Sequence, residues 1–488
     1  MGFFLFILAN AMLFIRPSEL VPELGDVELY RYVIAACLLV SMPRVAKQLF
    51  TRIASVPPIA GCVLGLLPAV LLSHISHGNA EEAWEQGIEF VKVVAYFLLL
   101  LALVTNIGRL RQFLCWLALF CAVLTVIAVV RYHIVAASPP EPPPPQSPTE
   151  AAEELPNGQR KNKKIHNVKV DEEVRDPDTG ELVKVARMCG TGIFNDPNDL
   201  ALVLITAIPL CMYWLTDARF KQTRPLWAAL ILLFGYALML THSRGGFLAL
   251  MAGLLTFLQM RFGSTKTLAV GAMMLPALFA VFAGRMTSIS TSEGTGQTRI
   301  QLWSDGLFYF REAPVFGIGM EGYHTVSSHV AHNSYIHAYA ELGLFGGTLF
   351  VGAFYFALRG LYSVRAASAS DQEPQSIDRP RADSVADGTP DPVAGASGLS
   401  LALDPEILRL HPYLMAMLVA YAVGIAFLSR SYVVPTYLLL GLALVYLRLR
   451  PSSTPLKWCR LPVAKLAAVS ICFLAMSYTF VRMFVSWN

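Results

Sequence analysis

Apolar residues in this chain gather in long runs separated by short polar breaks. Thirteen such runs can be marked, at about 2–15, 28–42, 57–73, 88–104, 113–135, 198–216, 225–241, 245–260, 267–284, 335–358, 411–428, 431–447 and 464–485. A membrane-spanning helix needs about 20 apolar residues, with some tolerance for tilt and polar lining. The first two runs are short, so the pattern predicts 12–13 transmembrane helices in an all-α, polytopic membrane protein.

The basic residues supply an independent check, because loops on the cytoplasmic side collect Lys and Arg. With the N-terminus inside, the inside loops are 43–56, 105–112, 217–224, 261–266, 359–410 and 448–465, and they hold 20 of the 38 Lys and Arg residues. The outside loop 73–87 has none, and the outside turn 241–245 has one. Thirteen alternating spans accommodate these numbers without conflict.

Composition sharpens the picture through its unevenness. Of the 488 residues, 55% are hydrophobic and only 15% are charged, against about a quarter charged in a soluble domain. Residues 136–190 alone carry 18 of the 72 charged side chains, eight of them Lys or Arg. This excludes a soluble enzyme, a disordered tail protein and a secreted disulfide scaffold. The net charge of +4 carries little information in such a chain. The eight cysteines lie mostly in apolar runs, with no CxxC or Cys/His spacing, so neither a zinc site nor a disulfide framework is expected. The first run lacks a basic leader and a small-x-small cleavage site, and reads as a retained helix.

Two segments break the helical pattern. Residues 136–190 open with Pro139, Pro140 and Pro142 to Pro145 and then become highly charged, as in an extended spacer followed by a flexible or weakly folded external insertion. The stretch Asp176-Pro177-Asp178-Thr179-Gly180 is a turn signal and a candidate hairpin tip. Residues 366–404, rich in Ala, Ser, Asp and Pro, read as a disordered cytoplasmic linker. Neither segment is assigned a catalytic role. The expected organisation is therefore N-terminal helices over 1–135, the insertion, a core over 191–360, the linker, and C-terminal helices over 405–488.

Function should reside in the polar islands on the outside. The largest is loop 284–334, between the ninth and tenth runs, with Arg285, Arg299 and Arg311, the aromatics Trp303, Phe308, Tyr309 and Phe310, and the histidines His324, His329 and His332, with His337 just beyond. Within it Ile300, Leu302, Trp303, Leu307 and Phe310 predict an amphipathic helix over 297–310, lying near the membrane surface. Gly317-Ile318-Gly319-Met320-Glu321-Gly322 has no surrounding βαβ unit, so it is a tight turn rather than a dinucleotide fingerprint. The second island is Thr241-His242-Ser243-Arg244-Gly245-Gly246, where an arginine followed by two glycines can approach a phosphate closely. The third is Phe194-Asn195-Asp196-Pro197-Asn198-Asp199, whose Asn195 or Asp196 before Pro197 is also ordinary helix-capping chemistry.

Taken together, these islands resemble the O-antigen ligase family. His332-Asn333 followed by nine residues and Gly343-Leu344-Phe345-Gly346 matches the family signature. Phe194 to Asn198, Ser243-Arg244-Gly245-Gly246, and Thr298-Arg299 with Trp303, Pro314 and Gly317-Ile318-Gly319 look like its other landmarks, in the same order. The close resemblance covers about residues 190–360, while the first five runs match only in topology. The insertion and the linker depart from the compact family pattern and bear on acceptor identity more than on chemistry.

The resemblance implies a GT-C-like membrane fold and transfer of a glycan from undecaprenyl pyrophosphate to an acceptor hydroxyl, on lipid A core or a similar lipid or glycan, at the outer face of the bacterial inner membrane. O-antigen polymerases and protein O-oligosaccharyltransferases share the superfamily and stay open as alternatives. Guanidinium groups bind diphosphate bidentately and remain charged, which makes Arg244 and Arg299 the candidate clamp. The external islands have few carboxylates to hold Mg²⁺, so no metal and no cofactor is expected. Histidine titrates near neutrality, and His332 is the candidate general base; catalytic roles thus fall to His332, Arg244 and Arg299. His337, five residues on, would point away from His332 at 100° per residue and is assigned to substrate binding, with Asn333, His242, Asn195, Asn198 and Trp303.

Each of these residues also has a plain structural reading. A lone interfacial arginine commonly snorkels to headgroups, loop aromatics commonly anchor a protein at the interface, and His324 and His329 suit an exposed loop. Lys92, inside the fourth run, has Glu89 three residues before it to neutralise it. A flippase for lipid-linked glycans is a rival from another class. It would need midplane polar groups and usually an internal repeat, whereas the ionisable groups here concentrate in external loops. Nothing points to nucleic acid as a partner.

Overall fold

In a computed structural model, residues 1–21, 23, 29–52, 58–137, 169–175, 182–273, 276, 295–327, 329–370, 404–449 and 462–485 are described. The helices are α1 (Gly2–Ile15), α2 (Leu29–Arg52), α3 (Pro58–Ile75), α4 (Ala80–Leu103), α5 (Ile107–Ala137), α6 (Pro197–Leu215), α7 (Arg224–Thr241), α8 (Arg244–Phe262), α9 (Thr295–Glu312), α10 (Ser334–Ser370), α11 (Pro405–Gly424), α12 (Val434–Leu449) and α13 (Val463–Phe484). Eleven helical segments among the described residues are long and apolar enough to cross a membrane, and α12 is a shorter apolar helix. The ninth run is helical over 264–273. Most of residues 274–294 lie outside the described residues, as do Arg285, the prolines of the insertion and most of the linker. The expected all-α polytopic membrane fold is the fold observed.

One exception to helix is a hairpin of β1 (Lys169–Arg175) and β2 (Leu182–Met188), paired antiparallel from Lys169 opposite Met188 to Arg175 opposite Leu182. The turn signal at 176–180 falls between these strands, though its residues lie outside those described. The hairpin is tied to the bundle where Tyr132 of α5 donates to the Ala186 carbonyl (3.2 Å).

The centre of the bundle is α6, α8 and α11, with α10 on α3 and α12 on α4 flanking it. Burial of large apolar faces drives this packing less than close backbone approach does, since lipid tails are as apolar as the side chains. The faces of α2 and α13 are largely exposed and suit contact with lipid.

The two ends of the bundle differ chemically. At one end, three loops expected on the same side meet in a charged cluster: Arg111 reaches Asp217 (2.7 Å) and Glu406 (2.8 Å), Arg409 reaches Asp217 (2.8 Å), and Arg219 pairs with Glu406. Arg409 also lies over the Tyr213 ring, 4.1 Å from its centre. This cluster is a structural staple of α5, α6 and α11 and bears out the loop alternation. Lys92 and Glu89 pair at 2.5 Å on an exposed face of α4, as their spacing anticipates.

Helix α10 is broken once. Gly343 takes φ 63°, ψ −162°, a conformation open to glycine and costly for other residues. The break leaves peptide groups without helical partners, and the loop before α10 supplies them. Ile318 and Gly319 donate to the carbonyls of Ala340 and Glu341 (3.0 Å each), while Leu344 and Phe345 donate to those of Pro314 and Val315 (2.8 and 3.1 Å). A Cβ on Gly317 would run into the Glu341 carbonyl, and one on Gly343 into the Val315 backbone. The two glycine motifs that looked separate in the sequence are the two halves of this one joint.

Candidate active site

The opposite end of the bundle gathers the polar islands, and the N-terminal turn of α6 is where they meet. Asp196 caps that helix, accepting from the Asn198 N–H (2.7 Å), with Pro197 in the first position. The capping reading of this island is therefore realised by Asp196, while Asn195 is exposed just before it. The rest of the turn reaches outward. The Asn198 amide oxygen accepts from the Ser243 hydroxyl (2.8 Å) and from Arg187 Nη2 (3.0 Å). Asp199 receives both forks of the Arg430 guanidinium.

His242 and Arg244 occupy a helix–helix junction. His242 ends α7 in the left-handed conformation, φ 53°. Ser243 caps α8, its hydroxyl accepting from the Gly246 N–H (3.1 Å), and Arg244 is the first residue of that helix. A side-chain cation here sits beside the positive end of the helix dipole, which together favour an anion. The following glycines serve a different purpose from the one their sequence suggests. A Cβ on Gly245 would lie 2.8 Å from that of Phe427, and one on Gly246 2.8 Å from that of Ala201. They let α8 pack closely on its neighbours rather than admit a phosphate.

His332 repeats the same arrangement. It is left-handed, φ 48°, and immediately precedes the cap of α10. Asn333 is that cap: its amide oxygen accepts from the N–H groups of Tyr335 (3.0 Å) and Ile336 (3.2 Å). That oxygen is engaged in capping the helix. Ser334 then locks onto the loop between α11 and α12. It accepts from the Arg430 N–H (2.8 Å) and donates to the Leu428 carbonyl (2.5 Å), and Ser431 donates to the Ser334 carbonyl (2.9 Å).

The electrostatics converge on His332. Burial, then Arg299 on α9, lowers its pKa from the ordinary 6.5 to about 4; Asp196 opposes the shift, while His329 and Arg430 add to it. The imidazole is neutral at neutral pH and able to accept a proton.

His337 lies elsewhere. Because α10 starts only at Ser334, the angular argument from His332 does not hold, as the two are not on one helix. The His337 ring is 6% exposed and its Nε2 lies 3.0 Å from a Glu341 carboxylate oxygen. It stacks on Tyr323 with ring centres 5.5 Å apart. Trp303 packs on Phe480 of α13, ring centres 5.7 Å apart, in a small apolar cluster with Leu307, Val481 and Val485. The predicted amphipathic helix exists as α9, and this side of it leans on α13.

Sequence reasoning overlooked Arg430, Asp199, Glu341 and Arg187. Arg430 carried the same signal that singled out Arg244, a lone arginine in a short outside turn between apolar runs. Glu341 is the only charged residue in the run 335–358, which by itself marks a functional candidate. Arg187 comes from the insertion, which was given no part in the site; its Nε also donates to the Thr241 carbonyl (2.9 Å), beside His242. Among the described residues no group of three or more His, Cys, Asp or Glu side chains could hold a metal ion.

Residues 228–351 match the protein family described as O-antigen ligase. The matched stretch holds Arg244, Arg299, His332 and the joint at Gly343. No curated protein matches the chain.

Proposed function

We propose, with the O-antigen ligase match over residues 228–351 as premise, that this multi-pass membrane protein is an inverting glycosyltransferase. It would move a glycan from undecaprenyl pyrophosphate to an acceptor hydroxyl on lipid A core or a similar acceptor, at the outer face of the inner membrane. The family itself supports a ligase- or polymerase-type, glycosyltransferase-like enzyme acting on lipid-linked glycans in a membrane. The observation that carries the finer reading is a neutral histidine, His332, set among Arg299, Arg430 and Asp196.

In this reading the acceptor O–H loses its proton to His332 as the oxygen attacks the anomeric carbon. The bond from that carbon to the diphosphate oxygen breaks, and the leaving diphosphate takes the electron pair. A single displacement inverts the centre. Arg244 and Arg299 hold the diphosphate and stabilise the charge that develops on it. Arg299 has a second effect. It depresses His332, and a diphosphate paired with it would weaken that depression, so donor binding would make His332 a stronger base when it is needed. Two arginines would do the work of a divalent cation, and the reaction would run without one.

The domain organisation proposed is a core over 191–360 framed by helices 1–135 and 405–488, with the insertion reaching the core through Arg187. The test is a reconstituted assay with lipid-linked donor and candidate acceptors, read by mass spectrometry. A single adduct on the acceptor supports the ligase reading. A ladder on the carrier lipid identifies a polymerase, a modified protein an oligosaccharyltransferase, and translocation without new bonds a flippase.

A further inference from the structure

Glu341 has no accessible surface, lies in the apolar run of α10 and takes no part in the chemistry above. Its partners are specific. One carboxylate oxygen accepts from the Tyr323 N–H (3.2 Å) and the other lies 3.0 Å from His337 Nε2. Its main-chain carbonyl accepts from Gly319 (3.0 Å), and the Tyr432 hydroxyl faces it from the loop that carries Arg430. Tyr323, fully buried and stacked on His337, passes the connection on. Its hydroxyl donates to the Leu302 carbonyl of α9 (2.8 Å), one turn from Arg299. Where Tyr323 meets α9 the helix has Gly306, at which a Cβ would lie 2.7 Å from Ile336 of α10.

We propose that Glu341 is a positioning residue: through Tyr323, and braced by His337, it seats helix α9 against the start of α10 and so fixes Arg299 relative to His332. The same elements also meet through aromatic rings: Phe310 of α9 packs on Tyr339 of α10 with ring centres 5.6 Å apart, and Tyr309 packs on Tyr323 at 5.5 Å and donates to the Val326 carbonyl (3.0 Å). Between α9 and α10 lie the loop that docks on the Gly343 break, the short helix Tyr323–Val326 and the turn to His332, and the far face of α9 rests on α13 through Trp303, Ile300 and Leu307. Glu341 lies at the centre of that arrangement, just before the break that releases α10 to receive the loop. A carboxylate is suited to the task because one oxygen accepts from the Tyr323 N–H while the other faces His337 Nε2, whereas an aliphatic residue there would leave the Tyr323 N–H buried without that partner. This proposal rests on the glycosyltransferase reading only for the consequence of moving Arg299, not for the movement itself.

The test uses the full chain in lipid nanodiscs, as Glu341→Ala and, because loss of a buried carboxylate can disturb folding, Tyr323→Phe, which removes one hydroxyl. Hydrogen–deuterium exchange of peptides covering 295–312 is expected to speed up several-fold in both variants, while peptides from α6 and α11 keep wild-type rates. Unchanged exchange over 295–312 in Tyr323→Phe, or an equal rise in α6 and α11, overturns the proposal. The second readout is the pH profile of transfer. The charged and titratable groups facing His332 are Arg299 from α9, Arg430 from the α11–α12 loop, Asp196 from the start of α6 and His329 from its own loop. Only Arg299 is on the helix that moves, so the acid limb of kcat/KM should shift upward in both variants; a lower rate with an unmoved limb overturns the positioning role. If the wild-type protein transfers no glycan, the functional reading falls while the exchange result still decides the role of Glu341.

Discussion

Arg430 grips both carboxylate oxygens of Asp199 with two nitrogens of its guanidinium, joining residues 231 positions apart in the chain. The Asp199 side chain is 5% exposed and that of Arg430 34%. Removing one member of a buried pair strands the other charge, which costs about 3–5 kcal/mol when both are fully buried. With Arg430 partly solvated, Arg430→Ala is expected to destabilise by about 2–3 kcal/mol. Asp199→Asn combined with Arg430→Gln should recover part of that loss. Thermal unfolding in detergent measures both, and full additivity of the single changes would show that the pair is not coupled.

His332 should set the acid limb of activity in two different places. Its folded pKa, about 4, lies below the ordinary 6.5, so the free enzyme keeps a neutral imidazole down to that region. The acid limb of kcat/KM for donor is expected near pH 4, and that of kcat at higher pH because bound diphosphate offsets Arg299. The stability consequence has a definite sign. Between pH 6.5 and 4 the unfolded chain holds a proton at His332 that the folded one lacks, so this group makes folding less favourable as pH falls through that window. Coincident limbs for kcat and kcat/KM would count against diphosphate acting on His332 through Arg299.

Arginine geometry should matter at the clamp. Arg244→Lys and Arg299→Lys keep the charge but lose the bidentate fork, and each is expected to lower transfer by at least tenfold, with alanine lowering it by a hundredfold or more. Membrane insertion should be unaffected, as read by detergent extraction and monodispersity. Wild-type rates for both lysine variants would remove the clamp from the mechanism.

The joint in α10 predicts an unusually harmful small substitution. Gly343→Ala adds one methyl group, yet it meets both a left-handed backbone and the Val315 main chain. It should unseat residues 314–319, with transfer abolished and new protease sensitivity confined to that loop. Gly235, on an open face of α7 with nothing near its Cβ position, should accept alanine with no loss.

Transfer should persist in excess EDTA, since the proposed clamp is made of guanidinium groups. Loss of activity that Mg²⁺ restores would refute this.

Much of the fold was legible because lipid imposes a coarse rule, one apolar run per helix, and the charged cluster of Arg111, Asp217, Arg409 and Glu406 shows that three loops expected together do share one end of the bundle. The amphipathic helix around Ile300 and Leu307 and the cap before Pro197 were visible for the same reason, since each is encoded by its own neighbours. What escaped depended on distant partners. Asn333 also caps α10 and His337 also faces Glu341, which no spacing rule reveals. The glycines after Arg244 read as room for a ligand, and their use is fixed instead by Phe427 and Ala201. Arg430 was passed over because it lies beyond the stretch that resembles the family.

That distance in the chain also orders events in time. A ribosome adds about 5–20 residues per second, so Asp199 emerges on the order of 10–50 s before Arg430 can reach it. During that interval the carboxylate awaits a loop not yet synthesised, and Ser334, made 96 residues before Arg430, awaits the same loop for a shorter time. The bonds that tie Ser334 to Arg430, Leu428 and Ser431 therefore close only after the matched stretch 228–351 is complete, and a nascent chain halted between 351 and 428 would hold every residue of that stretch without them.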